Sequence, residues 1–339
     1  MNKSSITYQS FAGSAEAWNC LVTASEGSSF LQTWEFGEAK TEIGPWNVER
    51  GVLLDGGSYI GAAQSMVRKP PFSRAGVVWI NRAPIGVFGN YGDALGALHH
   101  YFCNERKMYL RIAPSRILEN LSSFEYNNSG LKKTKISGWA SSIVNLQQTE
   151  ELLRNNLHGK WRNALSRAER SNIEICISDD KESFQIFLKG HSEHLDKRSK
   201  HRGLQVGFLE ALQDMLPKDR KLLCVAAYKN GDYLGGALVT RYGQVAEYFA
   251  GHNTDIGRPL NAGQLILWSV IMHLKALGMS KFDLGGMDEN LSPPGIYRFK
   301  NRIGGEPYRL AYEMEGLTTG LMNRIIRWCV NSQRRMDND

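Results

Sequence analysis

The sequence predicts an α+β protein made of two tandem copies of one unit, followed by a C-terminal amphipathic helix. Three observations carry this: an order of elements that repeats at a near-constant offset, a 42% hydrophobic content over 339 residues, and a basic segment of helical periodicity near the end. In the first half, Val48–Leu54 and Tyr59–Val67 flank Asp55-Gly56-Gly57-Ser58 and read as a hairpin. Val77–Ile80 reads as a third strand, Asp93–Arg106 as a helix and Met108–Ile112 as a further strand. In the second half, Leu222–Tyr228 and Tyr233–Thr240 flank Asn230-Gly231-Asp232. Val245–Ala250 follows as a strand, Asn261–Leu277 as a helix and Phe282–Leu284 as the closing strand. The hairpin glycines Gly56 and Gly231 are 175 residues apart, and the last strands, starting at Met108 and Phe282, are 174 apart.

A hairpin meander followed by strand, loop, helix and strand matches, by fold analogy, the acyltransferase fold of the GNAT type. The expected division is a first GNAT-like domain over 1–142, a second over 143–315 and a basic tail over 316–339, with the boundary near Ser137–Gln148. One large mixed α/β domain is the alternative. In the tail, Leu317, Leu321, Ile325 and Trp328 fall at helical spacing among Arg324, Arg327, Arg334 and Arg335. Such a helix either docks on a membrane surface or RNA, or packs on the second domain.

Lysine and arginine number 41 against 34 acidic residues, a formal charge of +7, which favours a polyanionic partner such as nucleic acid, a phosphorylated substrate or an anionic membrane. The five cysteines are odd in number and never spaced as C-x-x-C, which argues against a disulfide framework or a zinc site and fits a reducing cytoplasm. No apolar run reaches the roughly 18 residues of a spanning helix, so any membrane contact is expected to be peripheral. His191-Ser192-Glu193-His194 lacks a third ligand at metal spacing, and no metal is expected. Nucleophile-elbow, Walker and Rossmann patterns do not occur.

Three stretches could carry chemistry. Lys160, Asn163 and Arg167 share one face of a predicted helix, suited to phosphate or simply to solvent. Arg258-Pro259-Leu260-Asn261-Ala262-Gly263 joins a strand to a helix N-terminus, where unpaired N–H groups favour an anion; Asn261 as a plain cap is the alternative. It departs from the Q/R-x-x-G-x-G/A loop that holds the coenzyme A pyrophosphate in acetyltransferases of this fold, which weighs against a coenzyme A donor. From Phe282 to Glu306, the pairs Gly285-Gly286 and Gly304-Gly305 bracket a helix-like segment bearing Lys300, so backbone can approach a ligand while an ammonium faces it; a surface lysine beside two turns is the alternative.

The run Phe282-Asp283-Leu284-Gly285-Gly286 … Gly295-Ile296-Tyr297-Arg298-Phe299-Lys300 … Ile303-Gly304-Gly305 resembles the C-terminal signature of the Fem-type (FemABX) aminoacyltransferases. Phe30-Leu31-Gln32-Thr33-Trp34 with Lys40, Trp79-Ile80-Asn81-Arg82-Ala83-Pro84, Lys160-Trp161-Arg162-Asn163 and Tyr248 before Asn261 are supporting matches. The resemblance implies tandem GNAT-like domains and a role for Lys300 beside the aminoacyl ester, with Phe299 next to it. It implies that Lys40, following the helix start at Trp34, grips phosphates of a nucleotide- or lipid-linked acceptor, with Arg198 or Arg202 as a second phosphate ligand. Tyr248, Asn261, Gly285, Gly286 and Tyr297 belong to the expected substrate-binding set. Family members often carry an acid before the proline of a first-domain strand, whereas this chain has Arg111-Ile112-Ala113-Pro114.

The expected reaction is transfer of an amino acid from aminoacyl-tRNA, as co-substrate and without a further cofactor, to a primary amine of a phosphate-bearing acceptor. Asp283 and Asp288 are candidate bases. The rivals are an acyl-coenzyme A-dependent N-acyltransferase acting on an amino sugar or small amine, and a tRNA- or envelope-binding protein without turnover.

Overall fold

In a computed structural model, described over residues 6–71, 73, 75–87, 90–196 and 205–336, the chain divides into Met1–Trp139 with Arg309–Asp339, and Ala140–Tyr308. In chain order the first unit supplies β1 (Ile6–Ser10), α1 (Ala15–Ala24), α2 (Trp34–Ile43), β2 (Asn47–Asp55), β3 (Ser58–Arg68), β4 (Val77–Asn81), α3 (Tyr91–His99), β5 (Tyr109–Ala113), α4 (Ser123–Asn128) and β6 (Lys132–Lys133). The second supplies β7 (Ala140–Asn145), α5 (Glu150–Asn156), α6 (Gly159–Glu169), β8 (Glu174–Ser178), α7 (Lys181–Asp196), α8 (Val206–Met215), β9 (Leu223–Lys229), β10 (Asp232–Tyr242), β11 (Val245–Asn253), α9 (Ala262–Ala276), β12 (Lys281–Asp283), α10 (Pro294–Asn301) and β13 (Glu306–Arg309). The chain then returns to the first unit with β14 (Met314–Gly316) and α11 (Leu321–Met336).

The two seven-stranded sheets correspond strand for strand: β1-β2-β3-β4-β5-β14-β6 in one and β8-β9-β10-β11-β12-β7-β13 in the other. In each, three antiparallel strands lead to a parallel step across a helix, β4–α3–β5 and β11–α9–β12. The hairpin glycines have the cause the sequence suggests. Gly56 and Gly57 have φ 57° and 88°, and Asn230 and Gly231 have 51° and 86°, the double left-handed conformation of a two-residue turn that matches strand twist.

The second domain expected over 143–315 differs from the structure at its end. Residues 309–315 lie in the first unit, because β14 pairs antiparallel with β5 and β6 there. The corresponding position in the second sheet is filled by β7. A three-residue Met-Glu-Gly strand offers no periodicity, so only its partners reveal it. The tail helix also differs from the expectation of packing on the second domain: Asn323, Arg327 and Asn331 of α11 bond to residues of the first unit.

Strand alternation sorts the second core. Val225, Ala227, Ala237 and Val239 join Trp161 and Leu165 of α6 and Ile266, Val270 and Leu274 of α9 in one cluster. On the opposite face Gly236 leaves room for Phe187 of α7, which a Cβ there would approach to 3.2 Å. In the first unit Leu53, Val78, Ile80 and Leu110 pack with Leu95, Leu98 and Phe102.

Arg111, in the stretch Arg111-Ile112-Ala113-Pro114 that lacks an acid before its proline, is 1% exposed. Its guanidinium donates to Glu313 at 2.6 Å, to the Tyr109 hydroxyl at 3.3 Å and to Asn331 at 2.9 Å. The returning segment thus supplies the carboxylate that keeps a buried cation neutralised. Removing one member strands the other in a dry site, so Arg111→Ala should lower unfolding free energy by about 3–5 kcal/mol in urea titration, with Arg111→Met plus Glu313→Leu recovering a large part of it.

Candidate active site

The second unit draws four of the expected residues around one ammonium. Lys300, on α10, is 8% exposed. Its Nζ donates to the Gly286 carbonyl at 3.1 Å and stands 4.9 Å from the centroid of the Tyr248 ring. Both contacts favour the cation. Burial pulls the Lys300 pKa down to about 8, opposed by the nearby charges of Asp283 and Glu247. Desolvation outweighs these two charges, because the loss of water acts on the whole ammonium. The Tyr248 phenol is pushed up to about 12 by the same burial.

The backbone that meets Lys300 is itself fixed by a carboxylate. Asp283, at the end of β12, accepts from the Gly285 N–H at 2.8 Å, from the Ser141 hydroxyl, and from the Tyr308 hydroxyl at 2.6 Å. Ser141 also bonds the Gly285 carbonyl, at 2.8 Å. Gly285 is required: its φ is +69°, and a Cβ would lie 2.5 Å from the Tyr248 carbonyl oxygen. Through these bonds Asp283 fastens the turn. Asp288 holds the next turn by accepting from the N–H groups of Asn290 and Leu291 at 2.8 and 3.0 Å. The prolines Pro293 and Pro294 then start α10, with Pro293 as its N-cap.

Tyr248 reaches this site through a bulge. Leu238 pairs with Ala250 and Val239 with Tyr248, leaving Phe249 as an extra residue in β11. Such an insertion bends the strand and re-aims its side chains.

Other expected residues stand elsewhere. Phe299 packs its ring 6.0 Å from Trp161 as part of the core boundary, so it steadies α10. Tyr297 lies on α10, half-buried. Asn261 sits at the start of α9 with φ 58° and ψ 31° and makes no side-chain cap bond. Asparagine tolerates this left-handed conformation better than most side chains. Lys160, Asn163 and Arg167 form an exposed face of α6. Arg198 and Arg202 lie outside the described residues.

In the first unit, Lys40 Nζ lies 5.7 Å from the Phe36 ring centroid, and burial lowers its pKa. Trp34 stacks under Arg50 at 3.6 Å and lines a cavity of about 400 Å³ with Arg50, Arg106 and Tyr8. Arg50 donates to Glu38 at 2.9 Å and to Gln64 at 2.8 Å, and Arg106 pairs with Glu49.

Ser141, Tyr308 and Glu247 were not foreseen. Glu247 had a usable signal, a lone acid within the apolar run Val245–Ala250, and it is 4% exposed. Its register neighbour across the parallel pair is Asp283. Ser141 and Tyr308 carry no motif; only tertiary pairing brings them to β12. His191 and His194 meet His252, whose pKa falls to about 3 through burial and the two neighbouring imidazoles. Among the described residues no group of three His, Cys, Asp or Glu is arranged to hold a metal.

Residues 153–301 match the acetyltransferase (GNAT) domain family. The whole chain is similar to FemX, with a TM-score of 0.79 at 15% identity over 94% of this chain and 99% of that one. The fold is a Fem-type tandem GNAT fold. This tandem GNAT arrangement also resembles the C-terminal domain of a putative lysylphosphatidylglycerol synthetase from Agrobacterium fabrum, with a TM-score of 0.54, 14% identity and coverage of 92% and 93%. A tandem GNAT protein from the clavulanic acid biosynthesis pathway aligns with a TM-score of 0.50 at 12% identity over 91% of this chain and 98% of that one. No curated protein sequence matches. The GNAT domain match and the tandem GNAT fold together support an acyltransferase.

The depressed pKa has a stability consequence with a definite sign. Between about pH 8 and the ordinary lysine value of about 10.4, the unfolded chain binds more protons at this position than the folded one, so stability rises with pH there. Below pH 8 the full penalty of burying the cation applies. Lys300→Met is therefore expected to be more stable than the parent at pH 7, by on the order of 3 kcal/mol, with the gain shrinking from pH 8 to 10 in urea titrations.

Proposed function

We propose that the protein transfers an amino acid from the 3′ ester of an aminoacyl-tRNA to a primary amine on a phosphate-bearing acceptor, forming an amide. The observation that carries this reading is the Lys300 ammonium, buried against Gly286 and Tyr248 within the glycine-bracketed segment. The similarity to FemX over nearly the full length of both chains supports it.

An aminoacyl ester is already activated, so the chain's task is positioning and charge stabilisation. As the amine nitrogen attacks the ester carbon, negative charge collects on the carbonyl oxygen. The Lys300 ammonium, preorganised in a dry setting, is the group that would face that charge. The new C–N bond forms, the ester C–O bond breaks, and the amine proton ends on the departing ribose oxygen. Lys40 and Trp34 on α2 are assigned to the acceptor, the lysine to phosphate and the indole to an apolar or planar portion.

A second reading has its own observation. The N-terminus of α9, entered through the left-handed Asn261, offers unpaired N–H groups suited to a pyrophosphate, as an acyl-coenzyme A donor acting on an amino sugar or small amine would need. Donor chemistry separates the two. Incubating the protein with a charged-tRNA pool and amine acceptors should give product that RNase abolishes. Product made from acyl-coenzyme A and indifferent to RNase would establish the second reading instead.

Lys300→Met should lower kcat/KM by about two to three decades, the scale of losing one oxyanion donor. The parent enzyme should lose activity as pH rises through about 8, when the ammonium deprotonates. Lys40→Ala should raise the acceptor KM with kcat nearly unchanged; an unchanged KM with lowered kcat would remove Lys40 from acceptor binding.

A further inference from the structure

The C-terminal helix α11 is inverted relative to an ordinary surface helix, which buries its apolar stripe. Asn323, Arg327 and Asn331, four residues apart, form the face that bonds to the first unit. Asn323 donates to the carbonyls of Lys107 and Thr319, both at 3.0 Å. Arg327 Nε donates to Glu315 at 2.9 Å, and Arg111 donates to the Asn331 side chain at 2.9 Å. The opposite arc presents Leu321, Met322, Ile325 and Trp328 to solvent, with Leu321 75% and Trp328 70% exposed. Cys329 is exposed on the same arc.

We infer that this arc is a membrane-binding surface, with α11 lying in the plane of an anionic bilayer and its apolar side chains at the boundary between headgroups and acyl chains. Charge argues for that occupant. The segment Leu321–Met336 contains Arg324, Arg327, Arg334 and Arg335 and no acidic residue, in a chain of formal charge +7. Exposed Arg324 borders the apolar arc, where its stem can lie along the acyl region while the guanidinium meets lipid phosphate. A second copy of the chain is a poorer occupant. Pairing two such helices would bring arginines together without a carboxylate from either helix to offset them. The polar docking face explains how the helix presents this arc: hydrogen bonds and an ion pair fix its rotation, so the apolar arc cannot turn inward without abandoning Glu315 and Arg111.

This inference stands independently of the acyl donor. The test is flotation of the full chain with vesicles of phosphatidylcholine containing phosphatidylglycerol, against vesicles of phosphatidylcholine alone. The protein should float with the anionic vesicles, and less so as salt is raised. Ile325→Ser plus Trp328→Ser should lower the partition coefficient by about tenfold or more while leaving the thermal midpoint unchanged, because both side chains face solvent. Failure of the parent protein to float, or equal flotation of the double variant, would overturn the inference. So would concentration-dependent dimerisation that the double variant abolishes, since the arc would then be a contact between copies.

Discussion

The candidate site depends on one carboxylate. Asp283 binds the hydroxyls of Ser141 and Tyr308 and the Gly285 amide, so residues on β7, β12 and β13 converge at the point where the chain turns into the glycine pair. That turn places the Gly286 carbonyl under the Lys300 ammonium. A charge with several fixed donors tolerates burial, whereas the lysine, given one carbonyl and one aromatic face, retains much of its desolvation penalty. The result is an acid that organises and a base whose ionisation is held near neutrality.

The first unit solves a similar problem at a different place. Arg111 is buried in β5, and its balancing carboxylate arrives from the far end of the chain, next to β14. The positive charge of Arg111 is thereby balanced by Glu313. The same returning segment leads into α11, whose polar stripe rests on this network through Arg327 and Asn331. The buried Arg111–Glu313 pair thus ties the returning segment, and the tail helix that follows it, to the first sheet.

Much of the fold could be read from the sequence because its signals are local. The Asp-Gly-Gly-Ser and Asn-Gly turns, and strands of alternating burial, specify themselves over a few residues. The return of 309–316 to the first sheet could not be read, since β14 is too short for a pattern and its partners lie some two hundred residues earlier. At the site, the glycine pair and Lys300 were visible as a motif. Ser141 and Tyr308 were not, because each is an ordinary strand residue that meets Asp283 only through a side-chain hydrogen bond in the folded chain. The left-handed backbone of Asn261 was not legible either, since the sequence offers it equally as a plain helix cap.

The central claim is that a buried ammonium at Lys300 titrates far below an ordinary lysine. Its direct measurement is the pH titration of the lysine side-chain NMR signals of the intact protein, with Lys300 assigned by its loss in Lys300→Arg. The account predicts one ammonium with a midpoint near 8. A midpoint at the ordinary lysine value of about 10.4 would contradict it.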